Sequence, residues 1–240
     1  MFKTLKSLFR AQTERPEPAP SEATFAAGLP LGMAPELFEG LRLDGRVRVR
    51  LASLAAYSDT LFAWDSDSYR HIAAVGHVDL GQGSHLVRFY LDNDTWIQAN
   101  VEHQQILEYK LFDFYRVAHL SDVEFDQLIN ASDKKADQPG AQTLTLEATD
   151  GSARRPSYQR VWGDAASLWS PPVVLEEQVT TTERIVPRHV THHAMLYERP
   201  IEGSERMEYV LVSAEDDGEG GFMRVDNLGV DIASVDIDAV

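Results

Sequence analysis

The sequence predicts an α+β fold, mostly antiparallel β with a few short helices, preceded by an N-terminal amphipathic helix on a Pro-rich linker. Three observations lead there. Apolar and polar residues alternate at period two in many segments, as in Arg46–Leu51, where Val47, Val49 and Leu51 face one way and Arg46, Arg48 and Arg50 the other. Turn residues, chiefly Gly, Asp and Asn, separate these segments. The first two dozen residues follow neither pattern and form separate units of their own.

Residues 1–12 read MFKTLKSLFRAQ. Wound at about 100° per residue, Met1, Phe2, Leu5, Leu8 and Phe9 share one arc, and Lys3, Lys6 and Arg10 lie on its flank. Residues 13–24, TERPEPAPSEAT, carry Pro16, Pro18 and Pro20 at a spacing that forbids helix and sheet. Such a tract favours an extended polyproline-like chain at ~3.1 Å per residue, a reach of about 35 Å. A β-rich domain is then expected over residues 25–240, opening with a short helix at Pro35.

After Arg46–Leu51, strands are expected at His71–Leu80, Ser84–Leu91, Trp96–Val101 and Leu107–Val117. The turns Gly81-Gln82-Gly83 and Asp92-Asn93-Asp94 make this stretch an antiparallel meander. Ser121–Ile129 reads as a short helix with Ser121 and Glu124 as its capping box. The polar stretch Ala131–Ala141 is the best internal loop, dividing the domain into two lobes. Strands resume at Gln142–Ala148, Tyr158–Trp162, Val173–Thr181, His192–Glu198, Glu208–Ala214 and Phe222–Ile232.

Composition narrows the function classes. The 240-residue chain contains no cysteine, which removes disulfides, thiolate metal sites and a cysteine nucleophile. Its net charge of −16 argues against general nucleic-acid binding, which needs a positive field to neutralise phosphates. That charge also keeps the body off anionic lipid, so membrane contact falls to the basic N-terminus. No apolar run approaches the ~20 residues of a membrane span. Lys3, Lys6 and Arg10 interrupt the apolar residues a secretory signal would need in one block, so the expected address is the cytoplasm.

Several residue groups carry candidate chemistry. The N-terminal Phe2, Lys3, Leu5, Lys6, Leu8, Phe9 and Arg10 suit an anionic membrane surface or a protein groove. Arg46, Arg48 and Arg50 place three guanidinium groups along ~14 Å of one strand face, suited to anions or to carboxylates of a neighbouring strand. His189, His192 and His193 form the densest histidine cluster. On a helix they would converge on a metal; on a strand only His189 and His193 share a face, and Pro187 with the following AMLYER favours strand. Asp92 and Asp94 lack the remainder of a calcium loop, and Asp65-Ser66-Asp67 and Glu215-Asp216-Asp217 read as acidic turns. Gly81-Gln82-Gly83 lacks a phosphate-binding lysine and a following helix. Neither G-x-S-x-G nor H-E-x-x-H occurs, so no catalytic residue and no cofactor is assigned.

Ordered blocks of the sequence carry a resemblance. GHVDLGQGSHLVRFYLDNDTWIQ at Gly76–Gln98 is followed by LEYKLFDFYRV at Leu107–Val117, YQRVWG at Tyr158–Gly163, PPVVLEEQV at Pro171–Val179, HHAMLYER at His192–Arg199 and EYVLVSAE at Glu208–Glu215. Together with NLGVDI near the C-terminus they resemble the bacterial family of domain of unknown function 2491, the YjfK-like proteins. The family has no established activity or cofactor, so the resemblance carries over no site. Its members tend to be encoded near phage-shock-protein-A-like membrane coat proteins and small integral membrane proteins. The resemblance therefore implies a protein partner of that coat type. Combined with the basic N-terminus, it leads to a non-enzymatic cytoplasmic adaptor recruited to the inner membrane or such a coat. The alternative is a metal-dependent enzyme or sensor on His189, His192 and His193, with Glu183 or His103 as a further ligand.

Overall fold

The alternating segments pair into a sheet that closes on itself. The computed structural model describes residues 28–30, 32–51, 54, 57, 59–64, 68–130, 138–149, 151–216 and 222–240. Its strands are β1 (Arg46–Val49), β2 (Arg70–Gly81), β3 (Ser84–Leu91), β4 (Thr95–Glu102), β5 (Gln105–Leu120), β6 (Thr143–Thr145), β7 (Ser157–Arg160), β8 (Val173–Thr181), β9 (Arg184–Pro200), β10 (Met207–Asp216), β11 (Phe222–Ile232) and β12 (Ile237–Ala239). The α-helix α1 (Asp122–Asn130) follows β5, and short 3-10 turns occupy Pro35–Phe38 and Ser234–Asp236.

The order β2-β3-β4-β5-β11-β10-β9 is completed by β8, which pairs with β9 on one edge and β2 on the other. Eight strands, all antiparallel to their neighbours, thus form a closed barrel. The short pairs β1–β12 and β6–β7 attach where β2 and β9 run past β8. This corrects the sequence expectation. The fold is nearly all β, with one α-helix among the described residues, rather than α+β with several helices. The N-terminal amphipathic helix expected at residues 1–12, and the linker at 13–24, lie outside the described residues, as does 131–137 of the internal loop. The reason for the error is physical. Period-two alternation reports which residues share a face, whereas closure depends on β8 pairing with a strand some hundred residues earlier.

Local chemistry explains the connections. Gln82 and Gly83 have φ of 54° and 81°, the positive pair a two-residue type I′ hairpin requires. His103 and Gln104, at φ 49° and 63°, make the same turn between β4 and β5 without glycine. At α1, Ser121 Oγ accepts from the Glu124 N–H (3.3 Å) and Glu124 Oε2 accepts from the Ser121 N–H (2.7 Å), the expected capping box.

Each barrel strand presents two faces to two different cores. One cluster joins Ala74, Val78, Leu86, Tyr90, Trp96, Phe112, Leu175, Val179, Ala194, Leu196, Tyr209 and Leu211. It is the barrel interior: β8 contributes Leu175 and Val179 to it while its opposite face, including Val174 and Glu176, is exposed. The other cluster lies outside, where Leu29, Phe38, Leu41, Val47, Val49, Leu144 and Tyr158 cover Val87, Phe89, Ile97, Leu111, Tyr197 and Val210 of the strands. Two covered faces explain why β3 and β4 are buried nearly throughout and show no clean alternation in sequence.

Candidate functional site

Inside the barrel, a charge network crosses four strands. Glu177 of β8 sits between Leu175 and Val179 on the inward face and is fully buried. Its Oε2 accepts from Arg88 Nη1 of β3 at 2.7 Å and from His192 Nε2 of β9 at 2.8 Å, and its Oε1 accepts from the Tyr90 hydroxyl at 2.7 Å. His192 Nδ1 lies 3.0 Å from Glu215 Oε1 and 3.2 Å from Ser213 Oγ on β10. Arg88 Nε donates to Gln98 Oε1 at 3.2 Å, and its guanidinium lies over the Trp96 ring. Gly76 of β2 makes the arrangement possible, because a Cβ there would lie 1.7 Å from Glu177 Oε1.

The electrostatics follow from this geometry. Burial opposes ionisation of Glu177, but Arg88 and then the His192 bond hold its pKa down to about 2. Burial likewise opposes the His192 imidazolium, but Glu215 and then Glu177 raise its pKa to about 9. With a carboxylate at each ring nitrogen, both nitrogens donate and His192 is a cation. Burial raises the Tyr90 hydroxyl well above its usual range, so it stays protonated and donates. Arg88 and His192 thus pair with Glu177 and Glu215, and Arg188 also lines this part of the interior.

A cavity of about 60 Å³ remains beside the network, lined by Trp96, Phe114, Val190, Leu211, Asn227 and the charged residues. The buried Asn227 Oδ1 at its wall has no hydrogen-bond partner among the described residues. Such a space suits water molecules bonded to that oxygen; ligand pockets usually run to ~300–1,000 Å³. On the outer side of β10, a second buried carboxylate, Glu208, accepts from Arg199 Nε (2.8 Å), the Tyr158 hydroxyl (2.8 Å), Thr60 Oγ1 (2.6 Å) and the N–H groups of Leu61 (2.6 Å) and Phe62 (2.7 Å).

The residues singled out from sequence are distributed as follows. His189, His192 and His193 lie on strand β9 and are not brought together: His192 points into the barrel, His193 packs edge-on against Phe125 of α1, and His189 is exposed. Glu183 and His103 occupy turns at opposite ends of the barrel. Among the described residues no group of three or more His, Cys, Asp or Glu side chains is placed to hold a metal ion. Arg48 and Arg50 both donate to Asp238 of β12, at 2.6 Å and 2.5 Å, and Arg46 and Arg48 lie over the Tyr69 ring. Asp92 and Asp94 flank the β3–β4 turn, and Gly81-Gln82-Gly83 forms the β2–β3 turn. Glu215, read from sequence as part of an acidic turn, is instead an interior partner of His192. Phe2 to Arg10 and residues 65–67 lie outside the described residues. Sequence reasoning passed over Arg88, Tyr90, Glu177 and Ser213. The available signal was a charge at an inward position of an apolar strand, Glu177 between Leu175 and Val179 and Arg88 between Leu86 and Tyr90.

Both the barrel strands and the network fall within one family match. The family described as "Protein of unknown function (DUF2491)" matches residues 4–238. The chain belongs to this family. Among curated proteins it is similar to "Uncharacterized protein YjfK" of Escherichia coli (strain K12), 27% identical over 212 residues that cover 85% of this chain and 87% of the relative. No solved structure matches. The DUF2491 match assigns no chemistry, so the network must be interpreted from its own geometry. No helix among the described residues is long and apolar enough to cross a membrane.

Proposed function

We propose that this protein is a non-enzymatic adaptor that binds through its surface and N-terminal segment, with the barrel as a rigid support. The observation that carries this reading is the filled interior. Arg88, Glu177, His192 and Glu215 are paired with one another, and the cavity beside them is only about 60 Å³. An ion-pair network so enclosed acts by fixing the strands that bear it. The N-terminal sequence supports recruitment: Phe2, Leu5, Leu8 and Phe9 offer apolar contact, and Lys3, Lys6 and Arg10 offer attraction to an anionic surface on an otherwise acidic chain. The partner is a phage-shock-protein-A-like coat or the cytoplasmic face of the inner membrane.

Cosedimentation with anionic liposomes, comparing the full chain with one lacking residues 1–12, tests the membrane branch. Pelleting of the full chain alone is expected; equal pelleting of both forms removes the segment from the mechanism. Pull-down from a bacterial lysate with the same two forms tests the protein branch, with a coat protein retained by the full chain and lost on truncation.

A further inference from the structure

We propose that His77 and His85 form a binding site for a divalent transition metal of the zinc type on the outer wall of the barrel, with Asp79 as the carboxylate beside them. The strand registers make the arrangement. Ala74 and Val78 of β2 and Leu86 of β3 belong to the interior core, and Gly76 abuts Glu177, so His77, Asp79 and His85 point outward together. Asp79 pairs directly with His85, and His77 lies two residues further from the hairpin, opposite Val87. The tight turn at Gln82 and Gly83 fixes this register.

The distances suit a metal. His77 Nε2 is 3.1 Å from His85 Nδ1, and Asp79 Oδ1 is 3.6 Å from the same His85 nitrogen. An ion bound at ~2.0–2.1 Å to each of two imidazoles holds their nitrogens about 3.0–3.4 Å apart, across the octahedral to tetrahedral range of angles. The two histidines thus stand at that separation with neither strand displaced. One hydrogen lies between the rings as they stand; a metal takes its place, and the donor ring carries its proton on the other nitrogen instead. Two nitrogens are therefore in position, while the carboxylate, whose Oδ1 accepts from the Gly81 N–H at 2.8 Å, must rotate to become a third ligand. Water completes the shell, because the His85 and Asp79 side chains are 19% and 65% exposed.

Charge and donor type define the ion. The outward positions beside the pair are Gln178 of β8, opposite His77, and Val101 of β4, opposite His85, and neither is basic. The chain as a whole carries −16. Two imidazoles with one carboxylate suit zinc and its neighbours, whereas magnesium and calcium take oxygen ligands. The linear trace is His77 and Asp79 at strand spacing followed by His85 on the next strand, so the histidines whose nitrogens meet are not those of the densest cluster in the sequence.

The test uses the full chain without an affinity tag, stripped with a chelator and titrated with zinc at micromolar concentration. Heteronuclear NMR of the imidazole nitrogens reads the ligands directly in the unsubstituted protein, with shifts expected at His77 Nε2 and His85 Nδ1. Isothermal titration calorimetry should show one equivalent bound, with affinity falling about tenfold or more in His77→Gln and in His85→Gln and several-fold in Asp79→Asn. His189→Gln combined with His193→Gln should leave it unchanged, and magnesium should not compete. No zinc binding, shifts confined to other histidines, or an equal loss in the His189 and His193 variant would each overturn the proposal. An unchanged affinity in Asp79→Asn would remove the carboxylate from the site. Should a His77 or His85 variant lose its native circular dichroism spectrum, the nitrogen shifts of the unsubstituted protein decide.

Discussion

Glu177 and Glu208 are both fully buried carboxylates, each bonded to an arginine and a tyrosine, yet they hold different parts of the molecule. Glu177 faces inward, and its partners are side chains on β3 and β9, so it ties the closing strand β8 to both sides of the seam. Glu208 faces outward, and three of its partners belong to the segment Thr60–Phe62, so it fastens covering chain to the barrel wall. The inner site contains a histidine and depends on proton occupancy. The outer site relies on backbone N–H groups and on Arg199, whose pKa stays above its already high ordinary value because Glu208 outweighs the effect of burial. The same chemistry thus makes one site that holds a buried imidazolium and closes the fold, and another that holds backbone N–H groups and clothes it.

The largest effect should come from Glu177→Ala. It leaves Arg88 buried without its carboxylate, a loss of about 3–5 kcal/mol in chemical denaturation. Arg88→Met combined with Glu177→Leu should recover most of that loss, because apolar side chains of similar size remove both charges together. Failure of the double variant to recover would mean that Glu177 matters through His192 and Tyr90 rather than through Arg88.

Next in size is the pH response of the inner site. His192 is raised from 6.5 to about 9, so its contribution is complete below pH 6.5 and is lost as pH rises through 9. Glu177 is lowered from 4.5 to about 2, so its contribution is present above pH 4.5 and is lost as pH falls through 2. Stability followed by thermal melting should therefore be greatest near pH 4.5–6.5 and decline by on the order of 3 kcal/mol toward pH 9. His192→Gln should flatten the alkaline decline, whereas Arg199→Lys at the outer site should leave its slope unchanged.

Glu208→Ala should cost less, about 1–3 kcal/mol, since it strands the Leu61 and Phe62 N–H groups while Arg199 keeps Asp59. Amide hydrogen exchange should then rise at residues 59–62 and stay low in β8 and β9; loss of protection in the barrel strands would erase the division between closing and covering sites. The smallest effect belongs to Asp238→Ala. Arg48 and Arg50 are partly exposed where they meet it, so water replaces the lost pairs and the melting temperature should not move.

How much of this was legible in the sequence depended on the range of the interaction. Strand positions, the hairpin turns at Gly81–Gly83 and Asp92–Asp94, and the Ser121–Glu124 cap came through because each is decided within a few residues. The opposed faces of His192 and His193 also followed from strand periodicity, and the ordered blocks from Gly76 to Ile232 were sufficient for the family. Closure of the barrel was not legible, because Ala74 and Thr181 pair across more than a hundred residues of intervening chain. Nor was the inward side of each strand, since the outer faces of β3 and β4 are covered as well and both sides read as apolar. The sequence by itself determined where the chain extends, turns and alternates. Tertiary structure decided that Arg88, Glu177, His192 and Glu215 share one interior, because a charge can be buried only where its partner arrives, and these partners come from four different strands.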